Sequence, residues 1–327
     1  MPEQPESFWR SEKGAVALTA AICLTALLAA AGLVIDLGHY YLVRQQLKNA
    51  ADAGALAGVR AIFPYDLKSA SLPLEPRCSF AITTGTATAQ SNRTDALSPG
   101  VSYIQTGKWD WQKRELVPCC SSDPAGFPNA VTVTTQRADV PLYFMQMFGA
   151  KPKTLAATST AVMDWVKSLK PHKGLGLAIG KDWYKEEAEI EIALNDDSND
   201  KGGWYAFPPN KPNDELLTNW LTGQELIPFT TAGDYVYLQN GVMHTVLDLL
   251  KQGSIGEAFP VPVVDEVKFN QTAQVVGFTL FTITAIKKVN GKHIVVGKTG
   301  RLGEVSPELG LPGGENFGLL TNAKLVQ

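Results

Sequence analysis

Histidine and cysteine are scarce in this chain of 327 residues, which contains four of each. No His-x-x-x-His or Cys-x-x-Cys spacing occurs, so the sequence predicts no structural zinc and no other metal or cofactor. A Gly-x-Ser-x-Gly elbow and a phosphate-binding glycine loop are also missing, and no catalytic residue is predicted. A nucleophile formed in space by Cys119 or Cys120 with a distant histidine stays open. The histidines are His39, His172, His244 and His293.

Blocks of positive charge are missing as well. The formal net charge is −3, and no cluster of lysine or arginine alternates with aromatic residues, so nucleic acid is not a predicted partner. Apolar residues make up 45% and charged residues 19% of the chain, which is typical of a folded protein. The length favours an anchor and one or two globular units.

An acidic loop at residues 195–202 invites a calcium interpretation. An EF-hand loop needs glycine at its sixth place and glutamate at its twelfth, where this sequence has Lys201 and Phe207. The pattern favours a solvated turn, with a weak cation site as the alternative.

The clearest feature is an apolar run from residue 15 to residue 35, which contains no charged side chain. As a helix it would extend about 30 Å, enough to cross the hydrocarbon core of a bilayer. It is too long for the apolar region of a cleaved signal peptide and continues into residues 36–44, which still read as helix. A transmembrane helix is therefore predicted, with Tyr40 and Tyr41 at the far interface.

The flanking charges do not orient this helix, because Arg10 and Lys13 on one side are balanced by Arg44 and Lys48 on the other. A short leader before a long C-terminal part favours an N-terminus inside the cell.

Past the span, Ala50, Gly54 and Gly58 recur every four residues, a spacing that allows close helix packing. They are predicted to pack against the protein's own sheet or, alternatively, against a partner helix.

This region also carries polar and small residues that a generic anchor would not need. They are the run at residues 14–17, then Asp36, Gly38, Tyr41, Arg44, Leu47 and residues 50–58. The pattern resembles the N-terminal module of TadE/TadG-like Flp pilus-assembly proteins over residues 10–60. A looser similarity follows at residues 131–133, 140–149 and 156–161.

The resemblance implies a component of tight-adherence pilus machinery in the bacterial inner membrane, with its C-terminal part in the periplasm. Asp36 and Arg44 would be structural positions near the membrane surface. Pilin-like members that are processed carry a glutamate at the fifth position after the cleavage glycine. Counted from Gly14, that position is Thr19, so an uncleaved, anchored member is the closer likeness.

Three cysteines lie outside the span, since Cys23 is within it. One of the three must lack an intrachain partner, and a bond between the adjacent Cys119 and Cys120 would be strained. The predicted disulfide joins Cys78 to Cys119 or Cys120, and the alternative is that all three are reduced.

The predicted fold class is α+β: a transmembrane helix extended into a long helix, then an α+β domain and a mainly-β domain, both extracytoplasmic. A charged stretch at residues 167–173 is interpreted as the linker between these two domains. The predicted divisions are a cytoplasmic leader at 1–13, the helix module at 14–62, the α+β domain at 63–166 and the mainly-β domain at 174–327.

Within the domains, Asn290-Gly291 between apolar runs predicts a hairpin whose first strand, residues 274–286, is covered on both faces in a sandwich-like sheet. A strand is also predicted at residues 234–238. The predicted short helices are residues 142–148, 214–222 and 243–252. The aromatic stretch at residues 202–209 is interpreted as core, with a sugar- or peptide-binding surface as the alternative.

The sequence thus predicts a non-enzymatic, membrane-anchored component of Flp/Tad-type pilus or surface-assembly machinery. Its predicted partners are the membrane and other envelope or pilus-assembly proteins. The alternative is a membrane-tethered envelope hydrolase or ligand-binding protein that uses the same anchor.

Overall fold

A computed structural model of the protein describes residues 12–63, 76–122, 126–184, 189–196, 198, 200–299, 303–305, 309–315 and 317–326. Residues 1–11 of the predicted leader lie outside the described residues. The α-helices are α1 (Glu12–Ile62), α2 (Cys78–Ser91), α3 (Asp214–Thr222) and α4 (His244–Gly253). The strands are β1 (Gly100–Asp110), β2 (Glu115–Pro118), β3 (Ala130–Val140), β4 (Lys153–Val162), β5 (Val166–Leu169), β6 (Leu177–Gly180), β7 (Glu189–Ala193), β8 (Gly202–Ala206), β9 (Thr230–Thr231), β10 (Tyr235–Gln239), β11 (Ala258–Val264), β12 (Gln271–Val289), β13 (Lys292–Lys298), β14 (Gly303–Val305), β15 (Gly310–Pro312), β16 (Leu319–Thr321) and β17 (Lys324–Leu325).

Helix α1 is one continuous element of 51 residues, which confirms the predicted long helix. No proline interrupts it, and its alanine- and leucine-rich composition favours helix throughout. The first part is apolar on all sides and exposed, and α1 is the one described helix whose length and composition would allow it to cross a membrane. From Val43 onward one face is buried, at Val43, Leu47, Ala50, Ala51, Ala55 and Val59.

The buried face of α1 packs with α2 on a five-stranded antiparallel sheet. The strand order is β17-β4-β3-β1-β2. The shared core joins Val59 and Ile62 of α1 to Ala81 of α2 and Val131 of β3. The α+β unit predicted after the span is therefore built directly on the second half of the membrane helix.

The C-terminal half forms a mixed, seven-stranded sheet in the order β10-β8-β6-β11-β12-β13-β7. A further pairing of β10 with the first residues of β12 closes β10, β8, β6, β11 and β12 into a ring. The sandwich-like sheet predicted from β12 is therefore corrected. Nineteen residues let β12 pair with three neighbours in turn. Most of its buried residues alternate along the strand, such as Val275 and Phe281, and Phe278 is buried on the other face.

Several local predictions are confirmed. Helix α3 has the predicted bounds, α4 is shifted by one residue, and the hairpin of β12 and β13 turns at Asn290 and Gly291, both with positive φ. Asp214 links the two helices, because its carboxylate accepts hydrogen bonds from the Thr245 and Val246 amides at 3.0 and 3.1 Å.

Two local predictions are wrong. The interpreted linker at residues 167–173 begins instead as β5, which lies between β15 and β9 with Ser168 and Leu169 buried. Lysines at every third position obscured the apolar residues between them. The helix predicted at residues 142–148 is only a 3-10 turn, Met145–Phe148, because its preceding amides bind a side chain of α1.

The end of the chain returns to the first sheet. Strand β17 pairs with β4, and Leu320 forms a bridge with Trp165. The division of the soluble part at residues 63–166 and 174–327 stays a prediction, and a strand from the later range completes the sheet of the earlier one.

Candidate functional site: the membrane-proximal junction

The apolar part of α1 meets the folded part of the protein at Asp36, the first charged residue after the apolar run. Asp36 is 1% exposed. Its carboxylate accepts hydrogen bonds from the backbone amides of Tyr143, Phe144 and Met145, at 2.7, 3.0 and 2.7 Å. Three amides satisfy a buried negative charge that would otherwise be costly. Asp36 thereby caps the 3-10 turn Met145–Phe148 from another element.

The next turn of α1 continues this junction. The Tyr40 hydroxyl donates to the carbonyl of Val140 at 3.2 Å. His39 Nε2 lies 3.4 Å from Asp95 Oδ1, and the His39 ring centroid is 5.1 Å from that of Tyr143. These contacts hold the segment after β3 and the turn after α2 against the same turn of α1.

Farther along, α1 forms hydrogen bonds with the first sheet. The Thr135 hydroxyl donates to the carbonyl of Leu47 at 2.8 Å, and Lys48 Nζ donates to the carbonyl of Thr158 at 3.0 Å. Ser159 donates to Asp52 Oδ1 at 2.5 Å. Residues 36, 40, 48 and 52 follow the four-residue spacing of one helix face. Hydrogen bonds therefore join α1 to the rest of the protein over more than four turns.

Arg44 lies on the same stretch but stays exposed. It borders an open groove of about 550 Å³ between α1 and β4, together with Tyr41 and Lys48. The structure thus shows Arg44 on the exposed side of α1, and its place near the membrane surface stays a prediction from the resemblance.

The small residues predicted for helix packing face α2. A Cβ added to Gly54 would lie 2.8 Å from the carbonyl oxygen of Gly85, and one added to Gly58 would lie 3.0 Å from a Val131 methyl. Ala50 is fully buried nearby. The neighbour of this face is thus a helix of the same chain together with strand β3.

The cysteines also meet near α2. Cys78, at the start of α2, is disulfide-bonded to Cys120, just after β2, with Cα atoms 6.4 Å apart. Cys119 is free, and partial burial raises its pKa, so it stays a protonated thiol and a poor nucleophile. Cys23 is exposed on the apolar part of α1.

The other predicted candidates lie apart from the junction. His244 and His293 have ring centroids 5.9 Å apart, and the described residues hold no group of three or more potential metal ligands. In the acidic loop, Lys292 and the Ser198 hydroxyl donate hydrogen bonds to the Asp196 carboxylate and lower its pKa to about 2. Residues 197 and 199 lie outside the described residues. Trp204 and Tyr205 are core residues, as the sequence indicated.

The loop residues that bind Asp36 were missed by sequence reasoning. Their contribution is made by backbone amides, which carry no sequence signal. The acid immediately after an apolar run was the available signal, since a carboxylate at that place needs donors from elsewhere in the fold.

Comparison with known families gives a match that includes the α1 side of this junction. Residues 14–61 match the family model described as putative Flp pilus-assembly TadE/G-like. The N-terminal module is TadE/G-like. The match covers the apolar span, Asp36, Arg44 and the small-residue face, and it confirms the resemblance that the sequence suggested for this module. No curated protein and no solved structure matches the chain. The TadE/G-like module and its apolar span support a single-pass membrane protein with a role in pilus assembly.

Proposed function

We propose that the chain is a non-enzymatic, membrane-anchored component of Flp/Tad-type pilus or surface-assembly machinery. The observation that carries the proposal is the TadE/G-like match over residues 14–61. In this role the module anchors the protein, and the domains that follow contact other envelope and pilus-assembly proteins. The continuous helix α1 supports such a role because the same element is both anchor and core.

The states of the two candidate nucleophilic cysteines support a non-enzymatic function. Cys120, one of the two candidate nucleophiles, is held in the disulfide with Cys78. Cys119, the other, has a pKa raised by burial, which disfavours the reactive thiolate. Neither candidate nucleophile is therefore favoured for covalent chemistry, which supports the proposal of a non-enzymatic role.

We place the folded domains in the periplasm, with the span in the bacterial inner membrane. The Cys78–Cys120 disulfide supports this orientation, because disulfides persist in oxidising compartments and are rare in the cytosol. The membrane-flanking charges are balanced and do not decide the direction.

The assembly role is tested by deleting the gene and counting surface pili by electron microscopy, with adherence as a second readout. Loss of pili that is restored by the wild-type gene is the expected result. Normal piliation in the deletion strain would refute the role. Intact pili with an altered envelope would favour the alternative of a tethered hydrolase or binding protein.

The orientation is tested separately, by protease treatment of spheroplasts and by alkylation of the cysteines before cell lysis. The residues beyond α1 should be digested along with a periplasmic control protein. Cys78 and Cys120 should resist alkylation until they are reduced, whereas Cys119→Ser should leave this pattern unchanged. Protection from protease while the periplasmic control is cut would reverse the proposed topology.

A further inference from the structure

The segment that Asp36 holds exposes an unusual set of apolar side chains. We call residues 142–148 the apolar loop. Its Tyr143, Phe144, Met147 and Phe148 are 57%, 41%, 83% and 69% exposed. Four adjoining large apolar residues in water are unfavourable, and such patches mark surfaces that meet another apolar phase.

The contacts of the apolar loop fix its height along α1. A Cβ added to Gly32 would lie 2.7 Å from the Cβ of Phe144, so this ring packs directly on the apolar span. Gly32 precedes the end of the apolar run by three residues, or about 5 Å along the helix axis. Asp36 binds the next turn of the loop just past that end. The apolar loop therefore lies level with the last turn of the span.

The backbone of the apolar loop also suits an apolar environment. The amides of residues 143–145 bind Asp36, and those of Met147, Gly149 and Ala150 bind carbonyls within the turn, at 3.0, 3.0 and 3.1 Å. Satisfied amides are what a segment needs before it can leave water for lipid. Exposed Lys151 and Lys153 follow immediately, where lipid headgroups would accept their charge.

We propose that the apolar loop inserts into the bilayer interface, on the side that faces the folded domains, as a second membrane contact beside the span. Tyrosine and phenylalanine side chains would lie among the headgroups and outer acyl carbons, where aromatic residues are enriched. Asp36 and Gly32 then set the depth of insertion, and the first sheet is held to the membrane at two adjoining places. Lipid is the favoured occupant because the exposed side chains continue the apolar surface of the span itself.

The test uses the full chain with Cys23→Ser and Cys119→Ser, which leaves the disulfide intact. Met147→Cys, at the most exposed position of the apolar loop, is labelled with an environment-sensitive fluorophore. The protein is then reconstituted into vesicles of neutral and anionic phospholipids. Tyr235→Cys, which replaces a 57% exposed residue of β10, is the matched control. Correct folding is verified for both by the Cys78–Cys120 disulfide on non-reducing gels.

The label at position 147 should show a blue-shifted emission that is lost to nitroxide quenchers placed on lipid carbons near the headgroup. Quenchers at the end of the acyl chain should act less, and the label at 235 should show neither effect. Identical spectra for both labels would overturn the proposal. So would a blue shift that lipid quenchers leave intact and that grows with the protein-to-lipid ratio, because a protein would then cover the loop.

Discussion

At the scale of single residues, the junction depends on one carboxylate. Asp36 is almost completely buried, yet its bonds go to amides of a segment more than 100 residues away in sequence. The loop it caps has no side-chain cap of its own. We infer that Asp36 is what keeps the apolar loop against α1.

We expect Asp36→Asn to release this loop. The amide side chain has the same shape, but it offers one acceptor oxygen and no charge to three donors. Hydrogen bonds to charged groups contribute about 1.5–3 kcal/mol each, so the loss should be on the order of 2 kcal/mol in the free energy of unfolding. Limited proteolysis at residues 142–148, in detergent or vesicles, should become faster.

Asp248→Asn is the control for that variant. Asp248 forms an ion pair with Lys251 on the exposed face of α4, and its side chain is 67% exposed. Exposed pairs contribute about 0–1 kcal/mol, so the control should unfold like the wild type. Equal proteolysis rates for Asp36→Asn and Asp248→Asn would show that the carboxylate does not hold the loop.

At the scale of elements, the close approach of α1 and α2 requires glycine. The added Cβ of Gly54→Ala would meet the Gly85 carbonyl at 2.8 Å and the Ala89 Cβ at 2.9 Å. Overpacking of this kind costs about 1–3 kcal/mol, which outweighs the gain of about 1 kcal/mol in helix propensity. We expect Gly54→Ala to lower the midpoint of thermal unfolding.

Gly38→Ala provides a control in the same helix. A Cβ at Gly38 would meet nothing within 4 Å, so only the gain in helix propensity remains. This variant should be as stable as the wild type or slightly more stable. If both variants shifted the midpoint in the same direction, the packing of Gly54 on Gly85 would not limit the approach of the helices.

Elements with local signals were predictable, and those defined by distant contacts were not. The hairpin at Asn290 and Gly291 and helix α3 follow from turn chemistry and apolar spacing over a few residues. The strand β5 could not be foreseen, because Lys167 within it and the lysines just after it resemble a linker, and its pairing with β9 and β15 involves residues far away in sequence. Likewise, the groups that donate hydrogen bonds to Asp36 are backbone amides. The sequence therefore indicated the acceptor, Asp36, but not its donors.

At the scale of the whole molecule, the apolar span and the folded part share one helix, α1, so a span in the bilayer would fix the position of the folded part. The helix crosses from the apolar span into the core without a break, and its second half forms the shared core with α2 and β3. A rigid element transmits height and rotation from the bilayer to the domain, whereas a flexible tether would transmit neither. This continuity suggests that assembly partners need the domain at a fixed height and orientation.

We therefore expect a flexible Gly-Ser linker inserted after Gly38 to uncouple anchoring from function. The chain should stay in the membrane fraction, and the Cys78–Cys120 disulfide should still form because the apolar face of α1 that packs on the first sheet and α2, from Val43 onward, lies after the linker. Piliation should nevertheless fall toward that of the deletion strain. The same linker placed between Asn290 and Gly291, an exposed hairpin turn, is the matched control and should preserve pili. Wild-type piliation with the linker after Gly38 would mean that the machinery uses α1 only as a tether.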